Sequence, residues 1–245
     1  MENDSLAPWD AQKGVEAYGK YAADKGNVKE RMTAVLHVVQ NNSPEFAEMK
    51  TAQPGELIVR IGGKDNLDNP NLGKGFQGIV VARGLEYVWW NDRDEGGGVK
   101  ARCKPGDPIP EGCDGKDILW PREGGNERAD GKDGPVADLT RTFIVCLFDG
   151  KDAKDPMMVA YSRGSAKLGA QLNMALNRFQ GPEYAAVLDF HVEGAKSKDG
   201  KPFFVLKAKP KGAVAPSNTA LLDKLKQWHD ALAPLFAVDD TKESA

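Results

Sequence analysis

Residues 138–209 read DLTRTFIVCLFDGKDAKDPMMVAYSRGSAKLGAQLNMALNRFQGPEYAAVLDFHVEGAKSKDGKPFFVLKAK, and their punctuation decides the fold: strand, strand, helix, strand, strand. Residues 139–148 (LTRTFIVCLF) are β-branched and aromatic, a charged loop over 149–156 interrupts them, and 157–162 (MMVAYS) resume an extended run. Arg163-Gly164-Ser165 turns the chain into a helix over 165–179, whose Leu168, Leu172, Ala175, Leu176 and Phe179 share one face. Residues 186–193 and 202–208 then pair as a hairpin across a Lys/Gly loop. The first of these alternates Leu188, Phe190 and Val192 with Asp189, His191 and Glu193; the second puts Phe203, Val205 and Lys207 on one face and Phe204 and Leu206 on the other.

Upstream, residues 32–40 (MTAVLHVVQ) form a strand that stops at the turn Asn41-Asn42-Ser43-Pro44. Ser43-Pro44-Glu45 suits the start of a short helix, and 56–61 (ELIVRI) make another strand. Residues 75–90 (GFQGIVVARGLEYVWW) read as two strands meeting at Arg83-Gly84, or one long strand bent there by a bulge. Alternation places Tyr87 and Trp89 on one face and Val88 and Trp90 on the other. Residues 91–138 form a long insertion with ten glycines and five prolines, in which Trp120-Pro121-Arg122 is the apolar anchor. A loop of that length is functional or disordered rather than an ordinary connection. The outer parts are an N-terminal arm over 1–30, a C-terminal helix over 213–237 capped near Ser217 or Asn218, and a mobile acidic tail over 238–245. The C-terminal helix carries Leu221, Leu222, Leu225, Trp228, Leu232 and Leu235 on one side, for packing on the body or for homo-oligomerisation.

Composition bounds the function. A chain of 245 residues that is 40% apolar can bury a real core. No apolar run is long enough to cross a bilayer, and MENDSLAPWD is acidic where a signal peptide is basic and then apolar, so a cytoplasmic protein without a membrane partner is expected. Three cysteines, Cys103, Cys113 and Cys146, do not make a disulfide framework, and a shared metal would require all three plus a further ligand. The net charge of −3 hides an asymmetry: residues 139–238 hold 14 lysines and arginines against 9 aspartates and glutamates, whereas 1–138 hold 18 against 24. Lys196, Lys198, Lys201, Lys207, Lys209 and Lys211 concentrate that positive charge on the last hairpin. A local basic surface on an acidic protein suits a polyanion without indiscriminate attachment; clustered surface lysines of an ordinary domain are the plainer alternative.

Two chemistries follow. Ser165, Gly164, Arg163 and Lys167 at the strand-helix junction make a local anion site, and an outward Phe203 among lysines is what base stacking on single strands requires. Alternatively, Asp189, His191 and Glu193 at two-residue steps offer three metal-ligand types to a metal-dependent phosphoester hydrolase. Side chains about 7 Å apart, however, need ligands from other elements as well.

The order strand, strand, strand, helix, strand, strand over 75–208 is that of an OB-fold, with the insertion as its first loop. Together with the early segments AVLHVVQNNSPEF and PGELIV, the chain resembles the single-stranded DNA-binding proteins of tailed bacteriophages. The resemblance implies a mainly β (α+β) domain over 31–212 built as an OB-fold-like five-stranded barrel with insertion 91–138. It also implies a non-enzymatic protein that binds single-stranded DNA in phage replication or recombination, without a cofactor, alongside other replication or recombination proteins in the host cytoplasm. Tyr87, Trp89, Tyr161 and Phe203 would stack on bases, and Arg141, Arg163, Lys167, Lys201 and Lys207 would contact phosphates. A phage assembly protein that oligomerises through the C-terminal helix is a further reading.

Overall fold

A computed structural model describes residues 34–61, 69–91, 99–113, 137–197 and 200–236. The N-terminal arm, the Trp120 anchor and the acidic tail lie outside the described residues. The strands are β1 (Val35–Val38), β2 (Leu57–Arg60), β3 (Gly75–Trp90), β4 (Val99–Cys103), β5 (Asp138–Phe148), β6 (Ala153–Tyr161), β7 (Ala186–Lys196) and β8 (Pro202–Ala213). The helices are α1 (Pro44–Ala47), α2 (Ala166–Arg178) and α3 (Thr219–Phe236), with 3-10 turns at Arg163–Ser165 and Glu183–Ala185. No described helix is long and apolar enough to cross a membrane.

The fold is mixed α+β and mostly sheet, as expected. All eight described strands join one sheet in the order β2-β1-β6-β5-β3-β7-β8, with β4 paired to β3 off that path. Every pairing is antiparallel except β1 with β6. β3 is the axis of the arrangement. One of its edges follows β5 from Gly78 to Val88, while the other is divided between β7, along Gly75 to Ile79, and β4, along Tyr87 to Trp90. It is one continuous strand, and its irregularity falls between Val80 and Ala82 instead of at Arg83-Gly84. The extra residue explains why Val81 and Ala82, neighbours in sequence, are both buried in the same core.

The strand ladder does not close on itself among the described residues, so the expected OB-fold-like five-stranded barrel is not seen as a closed sheet. β1 and β2 extend the β6 edge, and among the described residues no strand-to-strand ladder joins them to β8. The two ends nevertheless approach. Beyond β1, the Gln40 carboxamide donates from Nε2 to Phe204 O at 2.9 Å and accepts from Phe204 N at 2.8 Å. It stands where the peptide group of a neighbouring strand would stand, and satisfies backbone groups that β8 otherwise leaves open. The Phe204 ring lies 3.1 Å from the position of a β-carbon on Gly55, whose φ of +85° suits a residue without one.

Both sheet faces are covered. One core gathers Val80, Phe143, Val145, Val159, Leu188, Phe190 and Leu206 beneath Leu172 and Leu176 of α2. Gly169 lets α2 approach, because a β-carbon there would sit 2.7 Å from Tyr161 Cβ. The second core sets Ile79, Val81, Ile144, Cys146 and Val187 against Leu221, Leu225, Trp228 and Leu232 of α3. Asn218 caps α3, its Oδ1 accepting from Leu221 N at 3.3 Å. The apolar side of α3 that the sequence offered to a second subunit is therefore covered by the sheet of its own chain. A fully buried side chain of this size contributes about 1.5–3 kcal/mol, so four of them fix the helix to the body.

Candidate nucleic-acid interface

The best-formed polar and aromatic cluster on the surface lies where β6 passes into α2. The turn is fixed by two serines: Ser165 Oγ donates to Ser162 O at 2.8 Å and accepts from Ser162 N at 3.1 Å. Ser165 thus braces the turn and makes no capping hydrogen bond to α2 with its hydroxyl. Arg163 has φ of +48°, a left-handed conformation that is costly for a residue with a β-carbon. Its guanidinium carbon sits 5.0 Å from the centroid of the Trp90 ring, and its Nε lies 2.5 Å from Asp138 Oδ2. On the next residue, a β-carbon at Gly164 would stand 3.7 Å from the Phe203 ring, so that ring lies against the turn. Trp90 ends β3, Asp138 begins β5 and Phe203 lies near the start of β8; the Arg163-Gly164 dipeptide brings all three together.

Exposure separates the expected contact residues. Arg163 is 63% exposed, and Lys167 and Lys201 are exposed too. Phe203 is half-buried with its ring at the turn. Tyr87 is half-buried on β3, opposite Cys103 and Leu139. Arg141 is half-buried opposite Tyr161, its β-carbon beside Gly169 of α2. Two stacking roles are corrected. Tyr161 is 2% exposed and packs edge-on against Phe143 at 5.8 Å within the first core, where burial pushes its phenol well above its usual range. Trp89 is 3% exposed, because β3 is covered on both faces at that point, and neither ring is available to a base. The exposed ring is Trp90, at 39%, where the β3–β4 register shifts as the strand ends. Asp138 was the other residue missed; the signal for both was their place at strand ends flanking the long insertion.

Lys207 is only partly free. It binds Glu193, whose other oxygen lies 3.0 Å from His191 Nε2, and these two partners, Lys207 first, hold the Glu193 carboxyl below its usual range. That chain corrects the metal reading of Asp189, His191 and Glu193: one carboxylate already serves a lysine and a histidine. Among the described residues, no group of three or more His, Cys, Asp or Glu is placed to hold a metal. Burial first, then Asp107 and Cys113, push the Cys103 thiol up to about 11, and burial raises Cys113 as well. Cys146 lies in the second core, under α3. Lys196, Lys201, Lys209 and Lys211 are exposed cations spread along the β7–β8 hairpin, Lys196 and Lys201 at the end nearer Phe203.

Residues 15–233 match the family model described as Pam3 phage gp34-like protein. No curated protein and no solved structure matches the chain.

Proposed function

Because the chain belongs to the Pam3 phage gp34-like family, and so is a phage protein, we propose that it binds single-stranded DNA during phage replication or recombination, without catalysing a reaction. The observation that carries this reading is the meeting of Trp90 and Phe203 at the Arg163-Gly164 turn: an exposed ring under the arginine and a half-buried ring against the glycine, beside a lysine-lined hairpin. Rings stack on any base, and the cations follow the phosphate chain, so binding has little sequence preference.

Topology supports the same reading. The run β6-β5-β3-β7-β8 with α2 between β6 and β7 is compatible with an OB-fold, a partly open barrel that grips oligonucleotides with its first and last inter-strand loops. In this assignment, Trp90 enters the first of those loops and Phe203 leaves the last. The contact set is then Trp90 and Phe203 for bases, and Arg163, Lys167, Lys201 and the Glu193-bound Lys207 for phosphates, in the cytoplasm of the infected host.

The test is a fluorescence-anisotropy titration of a labelled dT oligonucleotide at low and high salt, with duplex and RNA as competitors. Binding is expected at low salt, with log K falling against log salt by about 0.7 for each phosphate neutralised. No binding at low salt would overturn the proposal.

A further inference from the structure

Arg163 is held from two directions in a way that leaves a defined part of it open. Asp138 takes the guanidinium through Nε, and the indole of Trp90 supports its face. Among the described residues neither Nη atom has a partner, although the side chain is 63% exposed. An arginine serving only as a tether between strand and helix would engage the carboxylate through two N–H groups, the stronger geometry. The single contact at Nε leaves the Nη edge, a fork that matches two phosphate oxygens, without a partner among the described residues. The Asp138 side chain is 12% exposed at the head of β5, so its own position is fixed by the sheet. The turn that presents Arg163 keeps a non-glycine residue at φ +48° with a glycine next to it. Such an outlier is held by its surroundings, and it motivates a search for a function.

We infer that Asp138 is a positioning residue that, with Trp90, sets the plane of the Arg163 guanidinium so that its Nη edge receives one phosphodiester group of the bound strand. This rests on the single-stranded DNA reading and adds to it a residue that repels DNA by charge yet improves binding by geometry.

The experiment compares Asp138→Asn with Asp138→Ala in the full chain, each alone and combined with Arg163→Gly. Both changes remove the negative charge, but only asparagine keeps an oxygen acceptor for Nε, so their ratio isolates positioning from charge. By anisotropy on the dT oligonucleotide, the alanine variant should bind three- to tenfold more weakly than the asparagine variant. In the Arg163→Gly background the two should bind alike, since the effect passes through that arginine. Thermal midpoints of all variants are measured alongside. A purely structural role would lower the midpoint of the alanine variant and leave the affinity ratio near one. Equal affinities in the otherwise unchanged chain, or a ratio that persists without Arg163, overturn the inference while leaving DNA binding intact. If the unchanged protein does not bind at all, the functional reading itself has failed, and this inference with it.

Discussion

Replacing Gln40 by glutamate tests whether a side chain holds the two ends of the sheet together. The substitution preserves size and keeps an oxygen to accept from Phe204 N, but it turns the donor that faces Phe204 O at 2.9 Å into a second acceptor. That hydrogen bond, worth about 1 kcal/mol net, is lost together with the longer one from Nε2 to Val38 O at 3.3 Å. In its place two oxygens confront each other in a half-buried seam, where an unsatisfied polar group costs about 1–3 kcal/mol more. The sum is about 2–4 kcal/mol. For a chain of 245 residues, each kcal/mol lowers the melting temperature by about 2–4 °C, so a fall of about 4–16 °C is expected. Urea unfolding gives the same quantity directly, with an unchanged slope if the denatured state is unaltered. Because Phe204 adjoins Phe203, the variant should also lose affinity for single strands under conditions where it remains folded. A stability change below about 0.5 kcal/mol, the scale of an ordinary surface substitution, would refute the view that Gln40 bridges the open edge.

Trp90→Ala should weaken oligonucleotide binding by about 5- to 150-fold, corresponding to about 1–3 kcal/mol for one base stacked on an aromatic ring. Trp89→Phe should leave affinity nearly unchanged because that ring is buried, and anisotropy measures both. Burial first, and then Arg60, lower the His37 pKa from 6.5 to about 4 against the opposing pull of Glu45. The unfolded chain therefore takes up this proton first, and stability held above pH 6.5 is lost as the pH falls toward 4. Glu45, whose burial is outweighed by Arg60 at 2.6 Å, is also held low and adds to the loss at more acidic pH. His37→Gln should flatten the dependence of the urea midpoint across that window. Leu225→Ala removes a fully buried side chain between α3 and the sheet and should cost about 2–5 kcal/mol without changing the mass in solution. A changed mass with unchanged stability would mean that α3 serves a second subunit instead.

The strands and helices that pack on one another were legible because their periods are clear. Leu188, Phe190 and Val192 alternate, Leu221, Leu225, Trp228 and Leu232 recur at helical steps, and these elements fall where the sequence places them. β4 was missed because VKARC sets two cations and a cysteine among its five residues, within a stretch dominated by glycine and proline. Its partner determines it, not its composition. The Trp89 and Trp90 assignment failed for a related reason. Alternation separates the faces of a strand, but it does not say which face is covered, and near the end of β3 both Val88 and Trp89 are buried. Tyr161 was readable: it stands two and four residues after Val159 and Met157, on the face those residues bury. Glu45 had no local signal at all, because its partner Arg60 lies fifteen residues away on β2.

The order of residues in the junction turn favours a role in binding over one in folding. If the chain needed only to pass from β6 into α2, glycine would serve best at 163, where φ is +48°. The sequence puts arginine there and glycine at 164, where an added β-carbon would meet Phe203 only at an ordinary distance of 3.7 Å. Fit does not require that arrangement, and conformational energy opposes it by about 1–2 kcal/mol. Arg163→Gly relieves the strain at an entropic cost of about 0.5–1 kcal/mol in the unfolded chain. It also gives up an ion pair on a mostly exposed side chain, worth about 0–1 kcal/mol, and a cation-π contact worth about 0.5–1 kcal/mol. The terms nearly cancel, so the variant should melt within a few degrees of the unchanged protein while binding single strands at least several-fold more weakly. A large loss of stability without loss of affinity would make Arg163 a tether between strand and helix, and the strained turn would then be a feature of folding, not of binding.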